Sequence, residues 1–523
     1  MPDGPNVLFL MSDEHNPRFQ GRLGEEPVET PAIDGIADRG ADFENAYCPS
    51  PVCGPSRQCM LAGREMPNCG AWDNGAVMTA DDTLPGSFRD AGYRTCLVGK
   101  MHFNGDRQFN GFEERPYGDL TGHGVQQPSH QPEPIHPDVL DVQPRRQGIE
   151  TGTRIPGAGV TAIPESLLQE HVVLRETLSW LREHDGDDPW FLTASFSRPH
   201  FPLTAPRRHF ERYWDPEADE PTDRLTAPAV EDGLDHPQVD FKRRRAELDS
   251  FTDHQLDRAR AAYFACVEFL DEVLGELLAT LDREGFLDDA VVVYASDHGD
   301  MAGEHGLWWK QSWHEGSSHV PLAVETPAHR AGERDPASVE TPVSLLDLYP
   351  TLCGLAGVEY PDDLDGTDLS TAVRTGAEPD RGPVVCDTTA GLDEGVAFRM
   401  VRDGRYKYVG FRDAPEVLVD LEADPLETEN LADGGGPADF GARDALDRLR
   451  AHVADTIDFD AVAEQYRADR VARGDHALPT PPGTGNAYLM PDGRLVDAAT
   501  PLYQPDEIAW EPGAVYEDWP GEF

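Results

Sequence analysis

Four short apolar runs in the first 300 residues are typical of buried strands in a parallel sheet. They lie at residues 6–12, 94–99, 190–196 and 290–296. Between them lie segments with helical spacing, the clearest of which is residues 258–281, where apolar side chains recur every three or four positions. This alternation predicts an α/β domain with a large, mostly parallel sheet flanked by helices.

Polar side chains directly follow these four runs. In open α/β sheets, ligands bind at the carboxyl ends of the strands. The sequence therefore predicts one crevice lined by acids, histidines and a lysine. In chain order, the side chains after the four runs are Asp13 and Glu14, Lys100 and His102, Arg198 and His200, and Asp297 and His298.

The pattern changes after about residue 380. Residues 397–411 alternate on either side of Asp403-Gly404, which predicts a hairpin. Residues 418–421 predict another strand and residues 444–458 a helix, so we expect a small α+β subdomain with an antiparallel sheet. The predicted parts are a large α/β domain at 1–380, this subdomain at 381–470 and a C-terminal arm at 471–523.

The arm at 471–523 is rich in Pro, Gly and Asp, yet it keeps aromatic side chains such as Tyr488, Tyr503 and Trp510. A disordered tail has few aromatic residues. We therefore expect the arm to dock, either on its own chain or on a neighbouring subunit. A homo-oligomer built through the arm is the second of these two outcomes.

Charge excludes several classes of partner. The 523 residues include 97 acidic and 44 basic side chains, a formal net charge of −53. Such a chain repels both a nucleic-acid backbone and an anionic membrane surface. The hydrophobic fraction of 39% still suffices for a core. The charge is therefore a property of the surface.

The basic residues are almost all arginine. The lysines are Lys100, Lys242, Lys310 and Lys407. An acidic surface poor in lysine suits a concentrated salt solution, which screens the repulsion between carboxylates, so we expect a salt-adapted, halophilic host. Eight cysteines are too sparse for a disulfide scaffold. With no secretion signal and no apolar run of membrane length, we expect a cytoplasmic protein.

The sharpest motif is Cys53-Gly54-Pro55-Ser56-Arg57. It resembles the signature of the type I sulfatases, a family with the fold of alkaline phosphatase. Further segments resemble the choline-sulfatase-like branch of that family, and a last one resembles its C-terminal subdomain. They are residues 99–103 (GKMHF), 111–115 (GFEER), 296–300 (SDHGD), 306–310 (GLWWK) and 405–408 (RYKY).

The resemblance implies that Cys53 is oxidised to formylglycine by a formylglycine-generating system. The aldehyde then hydrates to a gem-diol. One hydroxyl attacks the sulfur of a small sulfate ester and displaces the alcohol. Deprotonation of the second hydroxyl expels sulfate and restores the aldehyde. The substrate class implied is a sulfate monoester.

The resemblance also implies a divalent cation. Its ligands would be Asp13, Glu14, Asp297, His298 and the modified Cys53. Hard oxygen ligands suit Ca²⁺ best, with Mg²⁺ and Mn²⁺ as alternatives. The cation would lower the pKa of a diol hydroxyl and neutralise charge on the sulfate. Glu14 departs from the common family pattern, in which Asp or Gln stands at this position.

Five further side chains complete the predicted site. Lys100, His102, His200 and Lys310 would surround the sulfate, with His102 as the base that triggers sulfate elimination. Arg57 could pair with the diol or with a sulfate oxygen, because guanidinium offers forked donors. Pro55 suits the first turn of a helix, which would place the anion at a helix N-terminus.

Two other functions stay open at this stage. A phosphoester or phosphonate monoester hydrolase of the same superfamily would use the same sheet and cation, because fold does not fix substrate. A non-catalytic metal- or anion-binding protein would keep Cys53 unmodified. The alcohol part of the substrate is also open, with choline as a minority option beside aryl, alkyl and sugar sulfates.

Overall fold

The four apolar runs form four neighbouring parallel strands at the centre of one sheet. These are β1 (Asn6–Asp13), β4 (Arg94–Gly99), β7 (Trp190–Pro199) and β11 (Ala290–Ser296). Their order across the sheet is β11-β1-β7-β4. The predicted sheet is confirmed, and the polar residues that follow these strands therefore meet at one edge.

The computed structural model describes residues 4–118 and 155–473, except 105–106, 108, 162–163, 185, 187, 232 and 438, together with two short C-terminal strands. Four more strands complete the eight-stranded sheet, in the order β14-β2-β13-β11-β1-β7-β4-β5, and of the eight only β13 is antiparallel to its neighbours. The additional strands are β2 (Ala41–Phe43), β5 (Glu114–Gly118), β13 (Leu322–Glu325) and β14 (Ala337–Val339).

Alternate side chains of β1 enter two separate hydrophobic cores, one on each face of the sheet. Val7, Phe9 and Met11 belong to one core, and Leu8 and Leu10 belong to the other. Burial on both faces explains why the strand is an unbroken apolar run. The helices that cover the sheet are therefore required for its stability.

The longest helix begins five residues before the predicted start at 258. Thr252 and Gln255 form a capping box there, which satisfies the free N–H groups of the first turn. The described helices are α1 (Pro31–Arg39), α2 (Cys53–Ala62), α3 (Met66–Cys69), α4 (Leu84–Asp90), α5 (Gln169–Glu183), α6 (Arg207–Phe210), α7 (Pro237–Arg245), α8 (Asp253–Arg283), α9 (Glu315–Ser318), α10 (Pro327–Arg330), α11 (Leu348–Ala356), α12 (Ser370–Thr375), α13 (Phe440–Thr456) and α14 (Phe459–Arg473).

The predicted antiparallel sheet is also present. Its strands follow one another in the order β16-β17-β18-β19, and the turn between β17 and β18 holds Gly404 at φ 55°, as the predicted hairpin requires. Leu446, Leu449 and Val453 of α13 pack on this sheet. The strands are β16 (Val384–Thr388), β17 (Phe398–Asp403), β18 (Tyr406–Phe411) and β19 (Val417–Asp420).

Short strands pair elsewhere in the described chain. The domain boundaries at 380 and 470 stay a prediction, and most of the arm at 471–523 lies outside the described residues. In the described part, no helix is both long enough and apolar enough to span a bilayer. The short pairings join β3 (Ala46–Tyr47) to β12 (His319–Val320) and β15 (Val343–Ser344), β6 (Gly159–Val160) to β8 (Thr204–Ala205), β9 (Trp214–Asp215) to β10 (Glu220–Pro221), and β20 (Ala487–Leu489) to β21 (Leu495–Asp497).

Candidate active site

Helix α2 begins at Cys53, so the thiol lies in its first turn, at the positive end of the helix dipole. Pro55 is the third residue of the helix, a first-turn position at which proline's missing N–H costs nothing. All ten residues of the helix are buried. Asn74 accepts a hydrogen bond from the Gly54 N–H at 2.9 Å, which fixes the start of the helix. The motif therefore presents position 53 to the interior crevice.

The Sγ atom of Cys53 lies among side chains from distant parts of the chain. Lys310 Nζ is 2.8 Å away and His298 Nε2 is 3.2 Å away. Asp13 Oδ1 is at 3.7 Å and Lys100 Nζ at 3.8 Å. In formylglycine, oxygen atoms would stand where this sulfur stands. The ends of β1, β4 and β11 therefore converge on the predicted nucleophile, as does the loop that carries Lys310.

Position 53 stabilises a negative charge. Burial raises the pKa of the Cys53 thiol, but the ammonium groups of Lys100 and Lys310 outweigh that effect. His298 and a hydrogen bond from His102 lower the pKa further. The pKa of Cys53 therefore lies well below the usual value of 9.0. The same arrangement would stabilise an oxyanion or a sulfate oxygen at this position.

Arg57 is wholly buried, and all of its donors are engaged within the protein. Its Nε donates to Asp297 Oδ2 and its Nη2 to Asp13 Oδ2, both at 2.7 Å. Its Nη1 donates to the Lys100 carbonyl at 2.7 Å and to Ser195 Oγ at 2.9 Å. The carboxylates of Asp297 and Asp13 therefore occupy the fork of the guanidinium, and its expected pairing with the diol or with sulfate stays a prediction. Arg57 is the fifth residue of α2 and lies in its second turn.

Asp13 is the most strongly paired acid of the site. Burial raises its pKa, but Lys100, His200 and Arg57 together hold that pKa far below its usual value. Lys100 Nζ lies 2.5 Å from its Oδ2. Asp13 is therefore a carboxylate at neutral pH, with a second oxygen still facing Cys53.

Asp297 is held by its surroundings as firmly as Asp13. Its Oδ1 accepts the N–H groups of Glu14 at 3.1 Å and His298 at 3.0 Å. The Ser56 hydroxyl donates to its backbone carbonyl at 2.6 Å. Burial raises its pKa, while Arg57 opposes the rise. A further positive charge near its oxygens would therefore be stabilising.

The donor set fits a divalent cation. Ligand atoms of Asp13, Cys53, Asp297 and His298 lie within 4.8 Å of one another, and all four residues are buried. His298 Nδ1 donates to the Gly299 carbonyl at 2.9 Å, because a carbonyl only accepts. Its Nε2 therefore faces the cluster. Burial lowers the pKa of His298, but Asp297 outweighs this effect and raises that pKa to about 10, so a bound cation would take the place of the Nε2 proton.

Glu14 belongs to a second, adjoining group. Its ligand atom lies within 4.8 Å of those of Asp13 and His200, rather than in the group of Asp297 and His298. Its Oε2 is 3.4 Å from both Lys310 Nζ and His200 Nε2, while its buried Oε1 has no hydrogen-bond partner among the residues that the structure describes. Burial raises the pKa of Glu14 to about 8. A cation close to Oε1 would satisfy this oxygen.

Two further predicted residues close the crevice. His102 has φ 60° and hydrogen-bonds the Cys53 side chain. His200 Nδ1 donates to the Phe201 carbonyl at 2.7 Å, which leaves its Nε2 facing Glu14 and Asp13. All the predicted site residues therefore meet in one buried site. Their individual roles stay a prediction.

Several supporting residues were not predicted from the sequence. Ser195 accepts a hydrogen bond from Arg57, and Asn74 orients α2. The Tyr263 hydroxyl donates to the Glu14 carbonyl at 2.7 Å, and Asp300 Oδ1 accepts the Trp309 N–H at 3.0 Å. Of these four residues, only Asp300 lies inside a recognised motif. Its place in that motif is the one feature of the sequence that could have identified a supporting residue.

The chain belongs to the sulfatase family. The family described as Sulfatase matches residues 5–358, and the C-terminal family of N-sulphoglucosamine sulphohydrolase matches residues 303–442. Both the resemblance seen in the motifs and the predicted activity are thereby confirmed. The protein is a sulfuric ester hydrolase with a fold shared across the alkaline phosphatase superfamily.

Relatives of this chain include sulfatases that act on different compounds. It is 34% identical to the choline-sulfatase of Rhizobium meliloti (strain 1021), over 89% of this chain and 90% of the relative. It is 28% identical to an arylsulfatase of Clostridium perfringens (strain 13), over 82% and 90%. The name of a relative therefore does not by itself fix the alcohol.

Solved structures share the fold. The phosphonate monoester hydrolase SpPMH from Silicibacter pomeroyi superposes with a TM-score of 0.68 at 23% identity, covering 94% of this chain and 99% of that structure. BT1596, a 2-O GAG sulfatase, gives a TM-score of 0.67 at 21% identity, covering 92% and 96%. Both sulfatases and phosphonate hydrolases thus have this architecture.

Proposed function

We propose that this protein hydrolyses a small organic sulfate monoester through formylglycine generated from Cys53. The observation that carries the proposal is the surroundings of position 53. Two ammonium groups, two carboxylates and a histidine nitrogen surround one atom at the start of a buried helix. Such a site binds an oxyanion and a cation side by side.

The cation would be held by Asp13, Asp297, His298 and the modified side chain of residue 53, with Glu14 at the edge of the group. The mainly oxygen ligands favour Ca²⁺ over softer ions, and this choice of ion is part of the proposal. Bound there, the cation supplies Lewis acidity toward the diol and neutralises sulfate charge. Arg57 keeps the two aspartates oriented toward it.

The chain's own residues would divide the reaction between two sides of the substrate. One hydroxyl of the residue 53 diol attacks sulfur and gives up its proton to the Asp13 carboxylate that faces it, and the ester oxygen leaves as the alcohol after taking up a proton. Lys100, His200 and Lys310 bind the sulfate oxygens, and His200 or Lys310 supplies the proton to the leaving alcohol. His102, in contact with position 53, takes the proton of the second hydroxyl as sulfate departs.

Removing the metal gives the first test. Extensive chelation should lower sulfatase activity by about 10²-fold and lower the unfolding temperature, because Asp13 and Asp297 lose a neutralising charge. Added Ca²⁺ should restore both quantities better than Mg²⁺ or Mn²⁺. Activity is measured as sulfate release and metal content by elemental analysis. Full activity in protein shown to be metal-free would exclude the cation from the reaction.

For the substrate, we propose an alkyl sulfate of the choline-sulfate class. The support is the 34% identity to a choline-sulfatase over most of both chains. Sulfate release should be compared for choline sulfate, 4-nitrophenyl sulfate, a sulfated monosaccharide and a phosphonate monoester. We expect kcat/KM for choline sulfate to exceed that for each of the others by at least about tenfold.

The same panel separates this proposal from its rivals. A higher kcat/KM on the phosphonate ester would make the protein a phosphonate monoester hydrolase. A higher value on the sulfated sugar or on the aryl ester would keep the sulfatase and reject choline. A salt-adapted host, a cytoplasmic location and association through 471–523 also remain proposals, supported by composition alone.

A further inference from the structure

Every lysine of this chain lies inside the protein. The exposed fractions are 0% for Lys407, 1% for Lys100, 6% for Lys242 and 9% for Lys310. Lysine is almost never buried without a specific partner. Lys100 and Lys310 face position 53, so their burial has a reason. The burial of Lys242 has no explanation in the site described so far.

Lys242 contacts the backbone of the residue that delivers Lys310. It lies on α7, and its Nζ donates a hydrogen bond to the Lys310 carbonyl oxygen. Gln238, one turn earlier on the same helix face, donates from Nε2 to the Gln311 carbonyl at 2.6 Å. One helix face therefore holds two successive carbonyls of the active-site loop.

The loop needs such restraint. Trp309 has φ 61° and Gln311 has φ 68°, so both neighbours of Lys310 adopt the left-handed conformation that side-chain-bearing residues disfavour. Backbone conformations of this kind persist only when the surroundings over-determine them. The N–H of Trp309 donates to Asp300 Oδ1, and that of Gln311 donates to the Pro51 carbonyl, each at 3.0 Å.

We propose that Lys242 is a positioning residue for the reaction. Together with Gln238, it holds the loop so that the Lys310 ammonium lies at hydrogen-bond distance from position 53. The inference rests on the proposed role of Lys310 in binding the sulfate group. It assigns to α7 a function that none of the motifs indicates.

The chemistry of the contact supports this assignment. The Lys310 carbonyl can accept a hydrogen bond but cannot neutralise a cation, so the ammonium group of Lys242 is desolvated without full compensation. Burial lowers the pKa of Lys242 to about 7, with Asp300 and Glu14 opposing the shift and Arg245 and Lys310 adding to it. An apolar side chain would fill this place with less desolvation, which indicates that the hydrogen bond is the important feature.

A double-mutant cycle between Lys242 and Lys310 tests the proposal. Lys242→Met should lower kcat/KM for 4-nitrophenyl sulfate by at least about tenfold, whereas in a Lys310→Ala background it should change kcat/KM by less than about twofold. The inhibition constant of inorganic sulfate should rise in Lys242→Met, because the anion loses a correctly placed ligand. Equal losses in both backgrounds would overturn the proposal.

Matched variants separate positioning from folding. Val239→Ala truncates a buried side chain of the same helix that donates to neither carbonyl, and it should leave the sulfate inhibition constant unchanged. If Lys242→Met yields too little folded protein, the same cycle with Gln238→Leu decides the question by the same criterion. Turnover by the wild type and the loss of activity in the single variant Lys310→Ala test the proposed function. A failure of the proposed function is therefore distinguished from a failure of the positioning role of Lys242.

Discussion

Cys53→Ala should abolish sulfate release, with kcat falling by more than about 10⁴-fold, while the protein stays folded. The variant lacks the thiol group that is converted to the aldehyde, so no diol can form at the position where Lys100, Lys310 and His298 converge. Turnover of 4-nitrophenyl sulfate and the unfolding temperature are the two measurements.

Cys59→Ala is the matched control for Cys53→Ala. Cys59 is a buried thiol further along the same helix, and it is absent from the group of Asp13, Cys53, Asp297 and His298 that would hold the cation. This control should keep its turnover. In active wild-type protein, the peptide containing Cys53 should be about 18 Da lighter than its thiol form, because sulfur and two hydrogens give way to one oxygen. An active enzyme with an intact Cys53 thiol would disprove the formylglycine mechanism.

The sequence could predict the site because the sheet does most of the assembly. Asp13, Lys100, His200 and Asp297 each lie at or just after the end of a strand whose apolar run is visible in the sequence. Those four strands are neighbours and parallel, so their ends meet at one edge. For these residues, recognising the strands was equivalent to locating the site.

The contacts between site residues could not be predicted in the same way. The type of residue at position 57 indicated an anion partner, but whether that partner was substrate or carboxylate depended on the distance to Asp13 and Asp297. The hydrogen bond from Lys242 to the Lys310 carbonyl joins residues that are far apart in the chain, and no periodicity marks it. Contacts of this kind depend on the folded structure and cannot be inferred from the local sequence pattern.

Glu14 illustrates the same limit. Its place after β1 predicted a position in the crevice, and the resemblance implied a metal ligand, yet its extra methylene and its φ of 69° place its carboxylate beside Lys310 and His200. Whether a longer acid reaches the cation depends on a backbone conformation that local sequence does not specify. The types of residue in the cluster can therefore be predicted from the sequence, whereas the distances between them cannot.

Arg57→Met should have the second-largest effect, because it removes the guanidinium group that pairs with two buried carboxylates, Asp13 and Asp297. Removing one partner of a buried ion pair costs about 3–5 kcal/mol of the free energy of unfolding. Asp13 and Asp297 would also lose their fixed orientation, and a misplaced electrostatic group lowers turnover by about 10³-fold. Activity, the free energy of unfolding in denaturant and Ca²⁺ affinity by calorimetry would measure the three consequences.

Arg260→Met distinguishes loss of the site from loss of stability. Arg260 is equally buried and pairs with Glu26 at 2.6 Å, but neither residue belongs to the cation-binding group. It should destabilise the fold to a similar extent while keeping Ca²⁺ affinity and turnover. Because a site that binds Ca²⁺ more weakly gains less stability from it, Arg57→Met alone should gain less stability from added Ca²⁺ than the wild type does. Wild-type turnover in Arg57→Met would show that the aspartates hold their geometry without the guanidinium, and Arg57 would then have no part in catalysis.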